Sequence, residues 1–190
     1  LPGSKPPLGS AGKLLPQIEV RTLDVETEST LPRHESGILC FRGPNIFSGY
    51  LDSPDETRKV LDKDGWLRTG DLGRVDDHGY LFVEGRLSRF SKIGGEMVPH
   101  EKIEREVMEF LGAKQEEDQV CAIVGVEDQA KGEQLVLLTN RSIEAKDLRE
   151  NLSVRGFPNL WIPKIIRQVS DIPTLSTGKM DLRKIRELVE

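Results

Sequence analysis

The sequence predicts an α+β protein with a β-rich first part and a smaller mixed α/β second part. Short alternating or apolar stretches, separated by turn residues, run to about residue 86 and are typical of antiparallel strands. After that point strands alternate with helical patterns. A composition of 36% hydrophobic and 31% charged residues in 190 is that of a globular protein. We therefore place a boundary near residues 86–91 and assign residues 1–88 and 89–190 to two domains.

The first part begins with a stretch rich in Gly, Pro and Ser, residues 1–12, which is typical of a loop or a cut end. We expect the chain to begin inside a longer protein. Short strands are predicted in "LLPQIEVRTLD" and "ESGILCFRGPNIFSGYL", and a short helix or turn in "DETRKVLDKDG". A hairpin is predicted from about Leu72 to Gly85, around an Asp-Asp-His-Gly turn.

The second part opens with a helix in "HEKIEREVMEF", where Ile103, Val107 and Phe110 recur at helical spacing. Pro99 lies near its start, and Gly112 can form a left-handed cap. Strands follow in "QVCAIVGV" and "EQLVLLTN", then a helix in "SIEAKDLRENLSVRG", a strand in "KIIRQVSDI" and a last helix after "STGKMD". This order predicts a roughly three-stranded sheet with helices.

Charge and composition exclude several classes of function. A formal net charge of −5 and a pI near 5.4 give no broad attraction to nucleic acid or anionic lipid. No apolar run reaches the roughly 18 to 20 residues of a membrane span, and no signal segment opens the chain, so we expect these residues to be cytoplasmic. Cys40 and Cys121 lie in apolar stretches and predict buried thiols. The scattered His34, His78 and His100 predict no metal site.

The stretch "GWLRTGDL" is the first with groups suited to a ligand. Thr69-Gly70-Asp71 would end a strand and expose one carboxylate in a glycine-containing turn. Such a carboxylate can accept two hydrogen bonds at once from a diol, and the 2′- and 3′-hydroxyls of a ribose form such a diol. The alternative is an aspartate that only stabilises its own turn.

The stretch "EGRLSRFSKIGGEMVPHE" is the second. Arg86, Arg89 and Lys92 could meet an anion, and the Gly94-Gly95 pair lets a ligand approach the backbone closely. A solvated basic hinge with a glycine bulge is the alternative reading of the same residues.

The stretch "TLSTGKMDLRKI" is the third, with Lys179 directly after a Ser-Thr-Gly turn. It is not a Walker loop, because Pro173 replaces the first glycine and Met180 replaces the hydroxyl that would hold magnesium. What remains is one cation on a flexible turn, and this stretch taken alone favours a solvated lysine before a helix.

In this order the three stretches resemble the closing motifs of the adenylate-forming superfamily of acyl-CoA synthetases, peptide-synthetase adenylation domains and luciferases. "FRGPNIFSGYL" resembles the preceding motif of that superfamily, with Gly49-Tyr50 in place. "RFSKIGGEMV", "KGEQLVLLTN", "RGFPNLWIPKIIRQV" and "IPTLSTGKMD" look most similar to the C-terminal part of bacterial acyl-acyl carrier protein synthetase. In that family the chain also carries a 2-acylglycerophosphoethanolamine acyltransferase.

The resemblance implies activation of a carboxylate by ATP, followed by acyl transfer to a thiol. Asp71 matches the ribose-binding aspartate, with Thr69 and Gly70 beside it in the nucleotide site, and Arg86 matches an arginine near the ribose and phosphate. Lys179 matches the catalytic lysine that bridges the carboxylate and the α-phosphate. Magnesium is implied as well, with its ligands outside this chain.

The resemblance also implies a barrel-like β subdomain that ends the large adenylation domain, followed by a mobile C-terminal lid. Arg89 takes the hinge position, within "GRLSRFSK" where the superfamily commonly has "GRxKDxIK". The loop that contains Lys92, Gly94, Gly95 and Glu96 would line the thiol channel in the second of two lid poses.

The implied partners are a fatty acid, acyl carrier protein or coenzyme A, and a lysophospholipid that would bind a domain outside this chain. The parent would lie on the cytoplasmic side of the inner membrane and contact it only through other parts.

We expect the 190 residues alone to be inactive. An ordinary fatty acyl-CoA synthetase and a non-catalytic module of the same fold remain alternatives. A shared basic face would favour the acidic carrier protein through electrostatic steering; its candidate residues are Arg86, Arg89, Lys92, Arg155 and Lys164.

Overall fold

A computed structural model describes residues 5–113 and 119–189. The chain divides into two compact units, Leu1–Ser88 and Arg89–Glu190. The mixed α/β architecture with antiparallel sheets and few helices confirms the predicted fold class. That the two units correspond to parts of a larger enzyme stays a prediction.

The first unit is an antiparallel sheet of six described strands in the order β1-β6-β5-β4-β2-β3. The strands are β1 (Gly12–Lys13), β2 (Glu19–Leu23), β3 (Thr30–Leu31), β4 (Gly37–Arg42), β5 (Leu67–Val75) and β6 (Tyr80–Arg86). A short helix, α1 (Pro54–Val60), precedes β5. The predicted hairpin is confirmed as β5 and β6, and Asp76 closes its turn by accepting from the backbone N–H groups of His78 and Tyr80 at 2.9 and 2.8 Å.

Paired charges and one tryptophan occupy a polar surface of the first unit. The guanidinium groups of Arg21 and Arg42 lie 4.4 and 4.7 Å from the centre of the Trp66 ring. Arg21 also pairs with Asp62 at 3.0 Å, and Arg42 pairs with Glu19 at 2.7 Å. Each arginine therefore has both an anion and an aromatic ring as partners within the unit.

The second unit is built on a five-stranded sheet in which β10 is central. The strands are β7 (Phe90–Ile93), β8 (Glu96–Pro99), β9 (Cys121–Asp128), β10 (Gly132–Thr139) and β11 (Ile165–Gln168). β10 pairs antiparallel with β9 and β7 and parallel with β11. The helices among its described residues are α2 (His100–Phe110), α3 (Ala145–Val154) and α4 (Leu182–Glu187).

The helices and the three apolar strands of this unit are where the sequence predicts them. Gly112 and Gly156, at φ +68° and +83°, follow α2 and α3 as left-handed caps. The additional strands β7 and β8 were interpreted from the sequence as a hinge loop. They lack a long apolar run, because only one or two side chains of each reach the core, so their period-2 pattern is weak.

Both faces of the second sheet are buried. Alternate residues of β9 and β10 form two cores, one shared with α2 and α3 and one shared with α4. Burial on both faces explains why these strands read as continuous apolar runs. Cys40 and Cys121 are buried free thiols, as predicted, and burial raises the pKa of both.

One ion pair is buried inside the second unit. Arg89 and Glu104 are 5% and 3% exposed, and the guanidinium donates to Glu104 Oε2. The other carboxylate oxygen, Oε1, accepts from the backbone N–H of Ile123 at 2.6 Å. Arg89 Nη1 also contacts the carbonyl oxygen of Ile123 at 3.5 Å. Arg89 was predicted as the hinge by position, and its side chain is anchored to α2 and β9.

Replacing Arg89 with Met should lower the free energy of unfolding by about 3 to 5 kcal/mol, because Glu104 would remain buried without its counter-ion. The control is Arg155→Met. Arg155 is about half exposed and pairs with Glu106 and Glu109, so its loss should cost much less than the loss of Arg89. Urea unfolding followed by circular dichroism measures both, and equal losses would contradict the role of the buried pair.

Candidate functional site

A bulge in β5 presents the first group of candidate residues. Ile38 pairs with Leu72 and Cys40 pairs with Arg68, so Thr69, Gly70 and Asp71 lie opposite a single residue of β4. Gly70 adopts φ +74°, and a Cβ added there would meet no atom within 4 Å. Such bulges redirect side chains at the edge of a site.

Short hydrogen bonds hold the bulge in shape. The hydroxyl of Thr69 donates to the carbonyl oxygen of Leu39 at 2.8 Å and accepts from the backbone N–H of Asp71 at 3.0 Å. Arg86 Nη1 donates to the carbonyl oxygen of Thr69 at 3.1 Å. Thr69 therefore stabilises the backbone that positions Asp71.

Asp71 and Arg86 form an ion pair across the hairpin. They are register partners in β5 and β6, and Arg86 Nε lies 2.8 Å from Asp71 Oδ1. The Asp71 side chain is 28% exposed and that of Arg86 is 65% exposed, so a ligand can reach both. An ionised carboxylate has about four lone-pair sites, so one ion pair leaves capacity to accept from a diol. This geometry fits a nucleotide ribose with an arginine beside it.

The turn between β7 and β8 contains the predicted thiol-channel residues. Gly94 and Gly95 are its two central residues, at φ +59° and +88°. Two consecutive positive φ values are those of a type I′ hairpin turn, which explains why both positions are glycine. Gly94 N–H donates to the carbonyl oxygen of Lys131 at 2.9 Å, and Lys92 N–H donates to Glu133 Oε2 at 2.6 Å.

Ser91 and His100 form a buried hydrogen-bonded pair close to this hairpin. Ser91 Oγ lies 2.9 Å from His100 Nε2, and both residues are almost fully buried. Burial, together with the charges of Arg89 and Arg186, lowers the pKa of His100 to about 3. The histidine is therefore a neutral structural residue at physiological pH.

Lys179 lies on an exposed turn before α4. Thr174 and Met180 form an isolated antiparallel bridge, and Leu175 N–H donates to the carbonyl oxygen of Lys179 at 2.7 Å. Asp181 caps α4 by accepting from the backbone N–H of Lys184 at 3.2 Å. The turn is thus closed by backbone bonds, which leaves the lysine side chain to extend outward.

The structure brings together some of the predicted residues. Thr69, Gly70, Asp71 and Arg86 share one bulge and its neighbouring strand in the first unit. Lys92, Gly94, Gly95 and Glu96 share one hairpin in the second unit, and Lys179 occupies a separate turn of that unit.

The basic face considered for carrier recognition is not supported. Arg89 is buried and paired with Glu104, so its positive charge is not available at the surface. Arg155 is neutralised by Glu106 and Glu109, each at 3.0 Å.

Magnesium is implied by the resemblance alone, and its ligands are predicted to lie outside this chain. Within residues 5–113 and 119–189, no three or more His, Cys, Asp or Glu side chains are grouped so that they could hold a metal ion. We assign no step in this chain to magnesium.

No helix in residues 5–113 and 119–189 is long and apolar enough to cross a bilayer.

The chain is similar in sequence and in structure to several known proteins. The family model described as "AMP-binding enzyme" matches residues 1–51. The luciferin 4-monooxygenase of Luciola mingrelica is 28% identical over 186 residues, 96% of this chain and 33% of that protein. The 4-coumarate–CoA ligase of Vanilla planifolia is 35% identical over 180 residues, 93% of this chain and 31% of that protein. The crystal structure of ATP-bound MatB from Rhodopseudomonas palustris matches with a TM-score of 0.70 at 29% identity, covering 95% of this chain and 35% of that one.

The chain belongs to the adenylate-forming, AMP-binding superfamily. It spans about a third of the length of the curated relatives that it matches. The superfamily is the one that the three closing motifs resemble, while the roles of individual residues stay predictions.

Several residues around these sites were not singled out from the sequence. Glu104 is one, although its position beside Ile103 on the buried side of α2 is a detectable signal, since a carboxylate among core positions requires a partner. Trp161 and Glu133 are others, and nothing in their local sequence indicates that they contact the β7–β8 hairpin. Their roles depend on long-range contacts.

Replacing His100 with Gln should reduce the pH dependence of stability between about pH 6.5 and pH 5. The folded state keeps His100 neutral down to about pH 3, while in the unfolded chain it binds a proton below about 6.5. Stability is therefore lost as pH falls, approaching about 1.4 kcal/mol per pH unit well below 6.5. Urea unfolding at a series of pH values measures the slope, and parallel curves for wild type and variant would contradict the assignment.

Proposed function

We propose that this chain is the C-terminal part of an ATP-dependent ligase that converts a carboxylate to an acyl-adenylate and then transfers the acyl group to a thiol. The observation that carries the proposal is the Asp71–Arg86 pair at the β5 bulge. In this pair a carboxylate, which can accept hydrogen bonds from a ribose, lies directly beside a cation, which can bind a phosphate. Membership of the superfamily supports the same chemistry.

In the first half-reaction, Asp71 would bind the ribose hydroxyls while Arg86 neutralises nearby phosphate charge. Thr69 and Gly70 contribute by maintaining the bulge that directs Asp71 outward. Asp71 and Arg86 need no rearrangement of the hairpin, because they already face each other as register partners.

Lys179 would supply the mobile positive charge of the same step. Its ammonium group would lie between the substrate carboxylate and the α-phosphate, offset their repulsion, and follow the negative charge that develops in the transition state. Preorganised contacts of this type contribute about 2.7 to 4 kcal/mol, or roughly a hundred- to thousandfold in rate. An exposed turn before α4 suits a side chain that has to enter a site elsewhere.

The β7–β8 turn would serve the second half-reaction, in which a thiol attacks the adenylate. Gly94 and Gly95 carry no side chains, so a pantetheine arm can pass close to their backbone. Lys179 and this turn would then act in different half-reactions, with the second unit moving about Arg89 between two poses.

For the substrates, we propose a fatty acid and acyl carrier protein, on the four segments that resemble acyl-acyl carrier protein synthetase. The parent would also reacylate 2-acylglycerophosphoethanolamine, at the cytoplasmic side of the inner membrane, through parts outside this chain. Coenzyme A is the second candidate for the thiol. It is favoured by the similarity to 4-coumarate–CoA ligases and by the neutralised charge of Arg155.

In the complete protein, Lys179→Ala should lower ATP–pyrophosphate exchange at least a hundredfold. Transfer of the acyl group from added acyl-adenylate to a thiol should change by less than about threefold, because the lysine is needed only while the adenylate forms. Lys146→Ala, a change at an exposed lysine of α3, is the control and should affect neither step. Equal loss of both steps in Lys179→Ala would contradict the division of roles.

The same assay identifies the thiol when wild-type protein is given fatty acid and ATP with either acyl carrier protein or coenzyme A. Acyl-carrier product supports the proposed acceptor, and acyl-CoA product supports the second candidate. Absence of pyrophosphate exchange with any carboxylate would instead favour a non-catalytic module.

A further inference from the structure

We propose that Trp161 is a positioning residue for the thiol-transfer step, because its indole N–H holds the β7–β8 turn through Glu96. The role of that turn rests on the proposed function, whereas the contact itself is a feature of the second unit. Trp161 Nε1 donates to Glu96 Oε1 at 2.9 Å across 65 positions of sequence. No other side-chain hydrogen bond from outside the hairpin to Glu96 is present among the residues that the structure describes.

The indole is itself held in place. Trp161 ends a short 3-10 turn, Asn159–Trp161, and the next residue, Ile162, is buried in the core shared with α2 and α3. The ring of Phe157 meets the indole edge-on with centres 6.2 Å apart. The ammonium group of Lys102 lies 5.1 Å from the centre of the Trp161 ring and 5.6 Å from that of Phe157. These contacts leave the N–H little freedom to turn away from Glu96.

The segment also limits the space beside the turn. A Cβ added to Gly94 would lie 3.7 Å from Leu160 Cδ2, in ordinary van der Waals contact. Leu160 and Trp161 are therefore neighbours of the hairpin, with Leu160 beside Gly94 and Trp161 hydrogen-bonded to Glu96.

The hairpin is also attached to the segment that joins β9 and β10 and to the start of β10. There Gly94 N–H donates to the carbonyl oxygen of Lys131, and Lys92 N–H donates to Glu133. Attachment to this segment alone would allow a two-glycine turn to pivot, since glycine restricts the backbone least. The hydrogen bond from Trp161 supplies the second attachment and so fixes the path beside which a thiol-bearing arm would pass.

The variant Trp161→Phe tests this inference in the complete protein, because it keeps an aromatic ring for Lys102 and Phe157 but removes the N–H. Transfer from added acyl-adenylate should slow about tenfold, through a higher KM for the thiol substrate, while ATP–pyrophosphate exchange stays within about twofold. Trp66→Phe makes the same substitution in the first unit, where the ring lies between two arginines. It should leave the ratio of the two half-reactions unchanged.

A double-mutant cycle separates positioning from general destabilisation. Glu96→Leu removes the acceptor, and Trp161→Phe combined with Glu96→Leu should slow thiol transfer no more than the slower single variant does. Additive losses, an equal loss of both half-reactions in Trp161→Phe, or unchanged thiol transfer would each overturn the inference.

If wild-type protein shows neither half-reaction, the proposed function fails instead. The contact is then tested by the indole N–H resonance of Trp161, which should shift in Glu96→Leu but not in Trp66→Phe.

Discussion

The buried pair of Arg89 and Glu104 is the interaction on which the second unit depends. Arg89 is the first residue of that unit, Glu104 lies on α2, and the carboxylate also accepts from the backbone of β9. Three elements distant in sequence are thus joined by one pair of charges that water cannot screen. Since β7 follows Arg89 directly, the same pair determines where the β7–β8 hairpin begins. A hinge at this position would transmit motion to a unit whose first side chain is already locked.

The candidate functional residues lie partly on paired strands and partly in short turns. Asp71 and Arg86 face each other because antiparallel pairing sets their register, so their geometry is built into the sheet. Lys179 instead occupies a turn closed by a few backbone bonds, which suits the role proposed for it in adenylate formation. The β7–β8 turn is intermediate, with glycine at both central positions and a side-chain contact from Trp161 to steady it.

Much of the architecture could be predicted because its signals are local. The β5–β6 hairpin follows from a polar turn between apolar strands, and α2 follows from Ile103 and Val107 at helical spacing with a glycine cap. The β7–β8 hairpin could not be predicted in the same way, since few of its side chains are buried and its strands pair beside a strand about 40 residues later. Arg89 shows the limit for single residues. Its sequence context indicates a solvated basic hinge, but a carboxylate 15 residues away draws it into the core.

The sequence by itself determined the fold class, the strands and helices that have strong local signals, and the motifs that assign the chain to its superfamily, because periodicity, turn residues and motif spacing are encoded over a few neighbouring positions. Only the tertiary structure decided that Arg89 and Arg155 are neutralised, that Ser91 and His100 form a buried pair, and that Trp161 reaches Glu96. The reason is physical. The charge that a side chain presents and the partner that it meets depend on burial and on contacts between residues far apart in the chain, and no local pattern specifies either.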